Sequence, residues 1–114
     1  MPVKYKNLSI NDLIVATTAA APDDCYINTN GVAQINSSTA TNNSVSSVEV
    51  FIYVLPSGVT AASVDPAWRQ VIPANSTVSL DGLIGKIVPN LGAIRAYAGT
   101  TNVIRLNIDG IEIT

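Results

Sequence analysis

Histidine is absent from this sequence, cysteine, methionine, tryptophan and phenylalanine each occur once, and only 12% of the residues are charged. Each shortage removes a class of function. Without histidine the chain lacks the commonest general base, the usual partner of a serine nucleophile and the most frequent zinc ligand. A lone cysteine, Cys25, cannot close an internal disulfide, so the fold must rest on burial and backbone pairing, which suits folding in a cytosol. Six basic and eight acidic residues, scattered without blocks, give no electrostatic footprint for nucleic acid and no polybasic patch for an anionic membrane. No stretch approaches the roughly 20 apolar residues that cross a bilayer, and Met1 to Asn7 is polar, unlike a secretion signal. The straight-chain helix formers are scarce, which argues against long helices.

What is present is strand and turn. Val, Ile, Thr, Ser and Asn dominate, the apolar share is 47% of 114 residues, and that density of Val, Ile and Leu supplies the burial that disordered chains lack. The length fits one domain with a two-layer core. Over residues 46–55, Val48, Val50, Ile52 and Val54 fall on one face and Ser47, Glu49, Phe51 and Tyr53 on the other, a strand closed by Pro56-Ser57-Gly58. Ile94, Ala96 and Ala98 alternate with Arg95 and Tyr97, and Ile104, Leu106 and Ile108 alternate with Arg105, Asn107 and Asp109. The pair reads as a hairpin, with Ala98 opposite Ile104 so that Arg95 and Arg105 do not face each other. Past Asp109 the apolar residues Ile111 and Ile113 change phase, which a β-bulge at Gly110 explains; a frayed tail is the alternative.

Shorter strands are expected over residues 10–17, 25–28, 32–39, 68–72 and 77–80. Residues 36–47 read equally as a flexible loop or an exposed strand, and 82–87 as an irregular turn. Seven or eight antiparallel strands with frequent turn signals indicate an all-β fold, a single β-sandwich of jelly-roll or immunoglobulin-like type. It is expected to span residues 8–114, preceded by a polar N-terminal arm over residues 1–7 that crosses to a neighbour.

Chemistry is sparse. Cys25 follows Asp23-Asp24, whose charge opposes a thiolate, so it reads as a small buried apolar residue. Paired carboxylates about 5–10 Å apart run glycoside hydrolysis without histidine, but Asp65-Pro66, Asp81-Gly82 and Asp109-Gly110 read as turn markers. Asp12 with Asp23 and Asp24 lacks the spacing of a calcium loop. Around Gly85-Lys86 a phosphate loop fails at Leu80 and Ile87, and the sequons at Asn36, Asn42 and Asn75 are chance matches in Asn/Ser/Thr-rich sequence. No catalytic residue, cofactor or metal is expected. Phe51, Tyr53, Arg95 and Tyr97 fall on strand faces opposite the Val/Ile rows and are candidate subunit contacts. Trp68 reads as core or as an exposed anchor.

Cys25-Tyr26-Ile27-Asn28 leads through Gly31 into Ala33-Gln34-Ile35-Asn36. The strand over 48–55, Ile72-Pro73-Ala74-Asn75-Ser76-Thr77-Val78-Ser79-Leu80, Gly92-Ala93-Ile94-Arg95-Ala96 and a closing Leu106-Asn107-Ile108-Asp109-Gly110-Ile111-Glu112-Ile113 follow. This order resembles that of small β-sandwich virion proteins of tailed bacteriophages. The resemblance implies a capsid decoration or cement protein, a collar or tail adaptor, or a fibre-attachment subunit. Such a protein is made in the host cytoplasm, assembles as a homo-oligomer such as a trimer, and contacts other virion proteins. A carbohydrate- or receptor-binding module of a tail fibre is the alternative.

Overall fold

The computed structural model describes residues 3–9 and 13–114. The chain forms β1 (Val3–Asn7), β2 (Leu13–Ile14), β3 (Asp23–Ile27), β4 (Val32–Asn42), β5 (Val48–Leu55), β6 (Trp68–Ile72), β7 (Ser76–Ser79), β8 (Ile87–Val88), β9 (Ala93–Ala98) and β10 (Ile104–Ile113). Among the described residues the helical elements are two 3-10 turns, Ala61–Ser63 and Asp81–Leu83, the second overlapping the start of the segment expected to be an irregular turn. Residues 36–42 continue β4, so the strand reading holds there and the loop begins at Asn43. Of the strand expected over 10–17, residues 10–12 lie outside the described residues. Residues 3–7, expected to be an arm, form an edge strand on their own chain's β10.

Two antiparallel sheets face each other. Sheet A has the order β1-β10-β4-β7, with β2 continuing along β10 beyond β1 and β8 lying beside β4 in line with β7; sheet B has the order β3-β9-β5-β6. Taking β1/β2 as one broken edge strand and β7/β8 as another leaves eight strands, most of which switch sheet from one to the next. That is the order of a jelly roll rather than an immunoglobulin sandwich. Breaking two strands is also why ten segments stand where seven or eight were expected.

The expected hairpin does not form. β9 pairs with β3 and β5, whereas β10 pairs with β1, β2 and β4. The loop 99–103 crosses between the sheets, held by the Gly99 N–H on the Glu49 carbonyl and the Asn102 N–H on the Ile14 carbonyl. The alternation was read correctly, but the even-numbered rows of β9 and β10 meet across the core instead of side by side. Arg95 and Arg105 therefore point out of opposite faces, and their mutual repulsion sets no register.

The switch to odd-numbered Ile111 and Ile113 is not a bulge at Gly110, since β10 runs on and turns both outward; the bulge at this level belongs to the other strand. Asp109 pairs with Ser37 and Gly110 with Ile35, so the extra residue is Asn36 of β4. Accordingly β4 buries Ala33 and Ile35 before the bulge and Ser38, Ala40 and Asn42 after it. β10 keeps its alternation against β1 without a break. Gly110 sits inside this strand rather than in a turn, and a Cβ there would lie 2.1 Å from the Gln34 carbonyl oxygen, which is why the position has no side chain.

Ile104, Leu106 and Ile108 of sheet A and Val50, Ile52 and Ile94 of sheet B are buried in one core cluster. A bulge in β3 turns both Cys25 and Tyr26 inward. The Tyr26 hydroxyl crosses to sheet A and donates to Glu112 Oε2, while Lys6 Nζ stands 3.5 Å from Glu112 Oε1. At the opposite end the buried Asn42 amide donates to the carbonyls of Ser46 (2.8 Å) and Ile72 (3.0 Å), and its Oδ1 accepts from the Ser44 N–H. With every polar atom of this amide used inside the fold, the Asn42 sequon cannot carry a glycan in the folded chain.

Candidate subunit-contact surfaces

The outer face of sheet B collects four of the five residues expected to make contacts. Odd-numbered positions of β5 point outward because the even ones fill the core. Their partners place Tyr53 beside Arg95, Phe51 between Tyr97 and Arg69, and Glu49 beside Val71. The Phe51 and Tyr97 rings stack with centroids 4.4 Å apart and planes 13° from parallel, and Tyr53 lies 6.1 Å from Tyr97. Stacking of this kind adds about 0.5–1.5 kcal/mol beyond area burial.

The four are not equally accessible. Tyr53 is buried with Leu55 and Ala61 in a second, smaller apolar cluster, with Val59 and Ala19 packed against it. Burial, and then its hydrogen bond with Tyr97, push the Tyr53 phenol up to about 12. Tyr53 therefore flanks the patch, stacked beside Tyr97 and covered by the segment holding Ala61. Phe51 and Tyr97 are half-buried, and Val71, on the edge strand, is 54% exposed. Arg95 Nε donates to Asp24 Oδ1 at 2.6 Å, and Arg69 Nε stands 4.0 Å from Glu49 Oε2. The result is a small aromatic and aliphatic surface rimmed by ion pairs, the composition of a contact patch.

Trp68 lies elsewhere. It pairs with Ile52, whose side chain is in the core, but at the sheet edge it packs on Gly82, where a Cβ would come within 2.1 Å of its ring. Its Nε1 donates to Gln70 Oε1, and its exposed side lines an open cleft with Asp65, Pro66 and Arg69. It is neither a core residue nor part of the Phe51 patch.

A second apolar surface escaped the sequence reading. On the outer face of sheet A, Val3, Ile113 and Val32 stand in one row, and Tyr5, Ile111, Gln34 and Ile87 in the next. Tyr5 is 83% exposed, Val3 52% and Ile87 49%. The signal was present in the odd-numbered pairs Val3/Tyr5 and Ile111/Ile113; assigning the bulge to β10 instead of β4 turned the second pair inward.

No protein-family model and no curated protein sequence matches the chain. Among solved structures it is similar to a chain of the Bacillus endospore appendages, described as disulfide-linked pili, with a TM-score of 0.54, 14% identity, and coverage of 98% of this chain and 88% of that one. The coat protein of Tobacco streak virus aligns over 97% of this chain and 86% of its own at 14% identity and a TM-score of 0.43. At this identity the appendage likeness is one of fold.

Burial, with Asp23 and then Asp24 adding to it, pushes the Cys25 thiol up to about 12. Asp23 accepts from the Val15 and Ala16 N–H groups, which with the Asp24–Arg95 pair occupies two of the three acids considered for calcium; the third, Asp12, lies outside the described residues. Among the described residues no three acidic or cysteine side chains cluster in a way that holds a metal ion, and no helix is long and apolar enough to cross a membrane.

Proposed function

We propose that this chain is a non-enzymatic structural subunit of a tailed-bacteriophage particle, a capsid decoration or cement protein or a head–tail collar subunit. It is made in the host cytoplasm and acts on the virion by self-association and by docking on capsid or tail proteins. The observation that carries the reading is the Phe51–Tyr97–Val71 surface, an apolar patch on a regular sheet face flanked on the same face by the buried Tyr53. A weak contact of this size becomes effective in a repeating array, where mass action multiplies it. The appendage protein sharing the fold comes from disulfide-linked pili; here the one cysteine is buried, so the contacts are non-covalent. The trimer is the closed form that the phage resemblance implies.

Light scattering on the purified chain tests the reading. The expected result is a mass above 11.9 kDa that falls toward the monomer when Val71→Lys places a charge in the patch. A chain that stays monomeric at every concentration contradicts it. The cleft holding Trp68, Asp65 and Arg69 favours a second reading, a carbohydrate-binding module of a tail fibre. Saturable quenching of the single tryptophan by soluble glycans, in a monomeric chain, moves the function there.

A further inference from the structure

The two apolar surfaces lie on opposite outer faces of the sandwich and at opposite ends of it. The Phe51–Tyr97–Val71 patch is near the end bearing the 43–47 and 99–103 loops, and the Tyr5–Ile111–Ile87 patch is near the end bearing the chain termini. We propose that the occupant of the Tyr5 patch on sheet A is the Phe51 patch on sheet B of a second copy, so that copies stack face to face, head to tail and offset. The inference rests on the self-association proposed above and goes beyond it by naming the partner surface and the symmetry.

Area and charge support this pairing. Val3, Tyr5, Val32, Ile87, Ile111 and Ile113 leave on the order of 500 Å² of apolar surface uncovered, at the upper end of what a monomer shows. A stable interface buries about 800 Å² per partner, somewhat over half of it apolar, so the patch is large enough to form the centre of one. The charge in the next row of the same face is acidic: Asp109, level with Asn7 and Ser37. The most exposed ion-paired side chain beside the Phe51 patch is Arg69, 68% exposed and held to Glu49 only at 4.0 Å. A heterologous contact sets these opposite charges across one interface.

Because the two faces point in opposite directions, repetition of the contact does not close. It builds a column, and the trimer gives way to an open series.

Sedimentation velocity with two single variants tests this. Tyr5→Lys damages only the sheet A surface and Val71→Lys only the sheet B surface; both positions are exposed, and circular dichroism checks that each variant is folded. The unaltered chain is expected to form species that keep growing with concentration. Each variant alone should associate roughly 30-fold or more weakly, the loss expected at an interface hot spot. An equimolar mixture should give a 1:1 heterodimer of twice the 11.9 kDa chain mass, because one undamaged surface remains on each partner. Growth of the unaltered chain that stops at a trimer, a variant that still dimerises strongly with itself, or a mixture that stays monomeric while the unaltered chain assembles overturns the heterologous stack and leaves self-association standing. An unaltered chain that is monomeric throughout removes both.

Discussion

Replacing Gly110 by alanine separates close packing from conformational freedom. The backbone at Gly110 is not in the left-handed region, so alanine itself is tolerated, and loss of unfolded-state entropy would by itself stabilise the chain by about 0.4–1 kcal/mol. Against this, the new Cβ would stand 2.1 Å from the Gln34 carbonyl oxygen and 2.7 Å from Leu8 Cδ1. Leu8 can swing away. The Gln34 carbonyl belongs to the strand that β10 pairs with, and moving it opens the β4–β10 ladder next to the Asn36 bulge. Overpacking of this kind costs about 3 kcal/mol. The net destabilisation is therefore about 2 kcal/mol, a substantial part of the 5–15 kcal/mol that holds an ordinary domain, and lowers the midpoint by about 8 °C. Gly99→Ala is the control, since its Cβ would meet only the Glu49 carbonyl oxygen at 3.9 Å and should leave stability unchanged or raise it by about 0.4–1 kcal/mol. Urea unfolding followed by far-UV circular dichroism measures both. A Gly110→Ala midpoint equal to or above that of Gly99→Ala refutes the reasoning.

Three more outcomes follow from groups inside the fold and at its rim. The Ser38 hydroxyl is buried and makes no hydrogen bond among the described residues, so Ser38→Ala should leave stability unchanged or raise it by about 1 kcal/mol in the same urea assay; a loss above that size points to an unrecognised partner. The Tyr26 hydrogen bond and then Lys6 hold the Glu112 carboxyl below its ordinary 4.5, against a partial desolvation penalty. Its stabilisation is thus present above pH 4.5 and lost as pH falls through the folded value, and Glu112→Gln should flatten the acid limb of the urea midpoint against pH. The Cys25 thiol, raised from 9.0 to about 12, favours the fold below pH 9 and loses that contribution as pH rises toward 12. A thiol reagent at pH 8 should leave it untouched in the native chain and titrate one equivalent in urea; fast native labelling contradicts the burial.

Much of the fold was legible because the period of two is a local signal. The inward rows Val48-Val50-Ile52 and Ile104-Leu106-Ile108 were read from sequence and are buried. Which sheet a strand joins is not local. Nothing within 93–109 distinguishes a hairpin from two strands facing each other across a core, because both arrangements bury the same even-numbered residues. The bulge shows the same limit: apolar residues at Ile111 and Ile113 read as a change of phase at Gly110, whereas they cover the outer face of an unbroken strand and the extra residue is Asn36 of its partner. For the candidate surface on sheet B, alternation placed Phe51, Tyr53, Arg95 and Tyr97 on one outer face. It could not show that the loop holding Ala61 folds over Tyr53, or that β1 lays Val3 and Tyr5 beside Ile111 and Ile113.

The most direct test of the proposed virion role is mass spectrometry of purified tailed-phage particles for this chain, with its copy number counted against the major shell protein. The account predicts that the chain is present, in hundreds of copies if it decorates the head and in a few to a dozen if it serves the collar. Its absence from the particle contradicts the account.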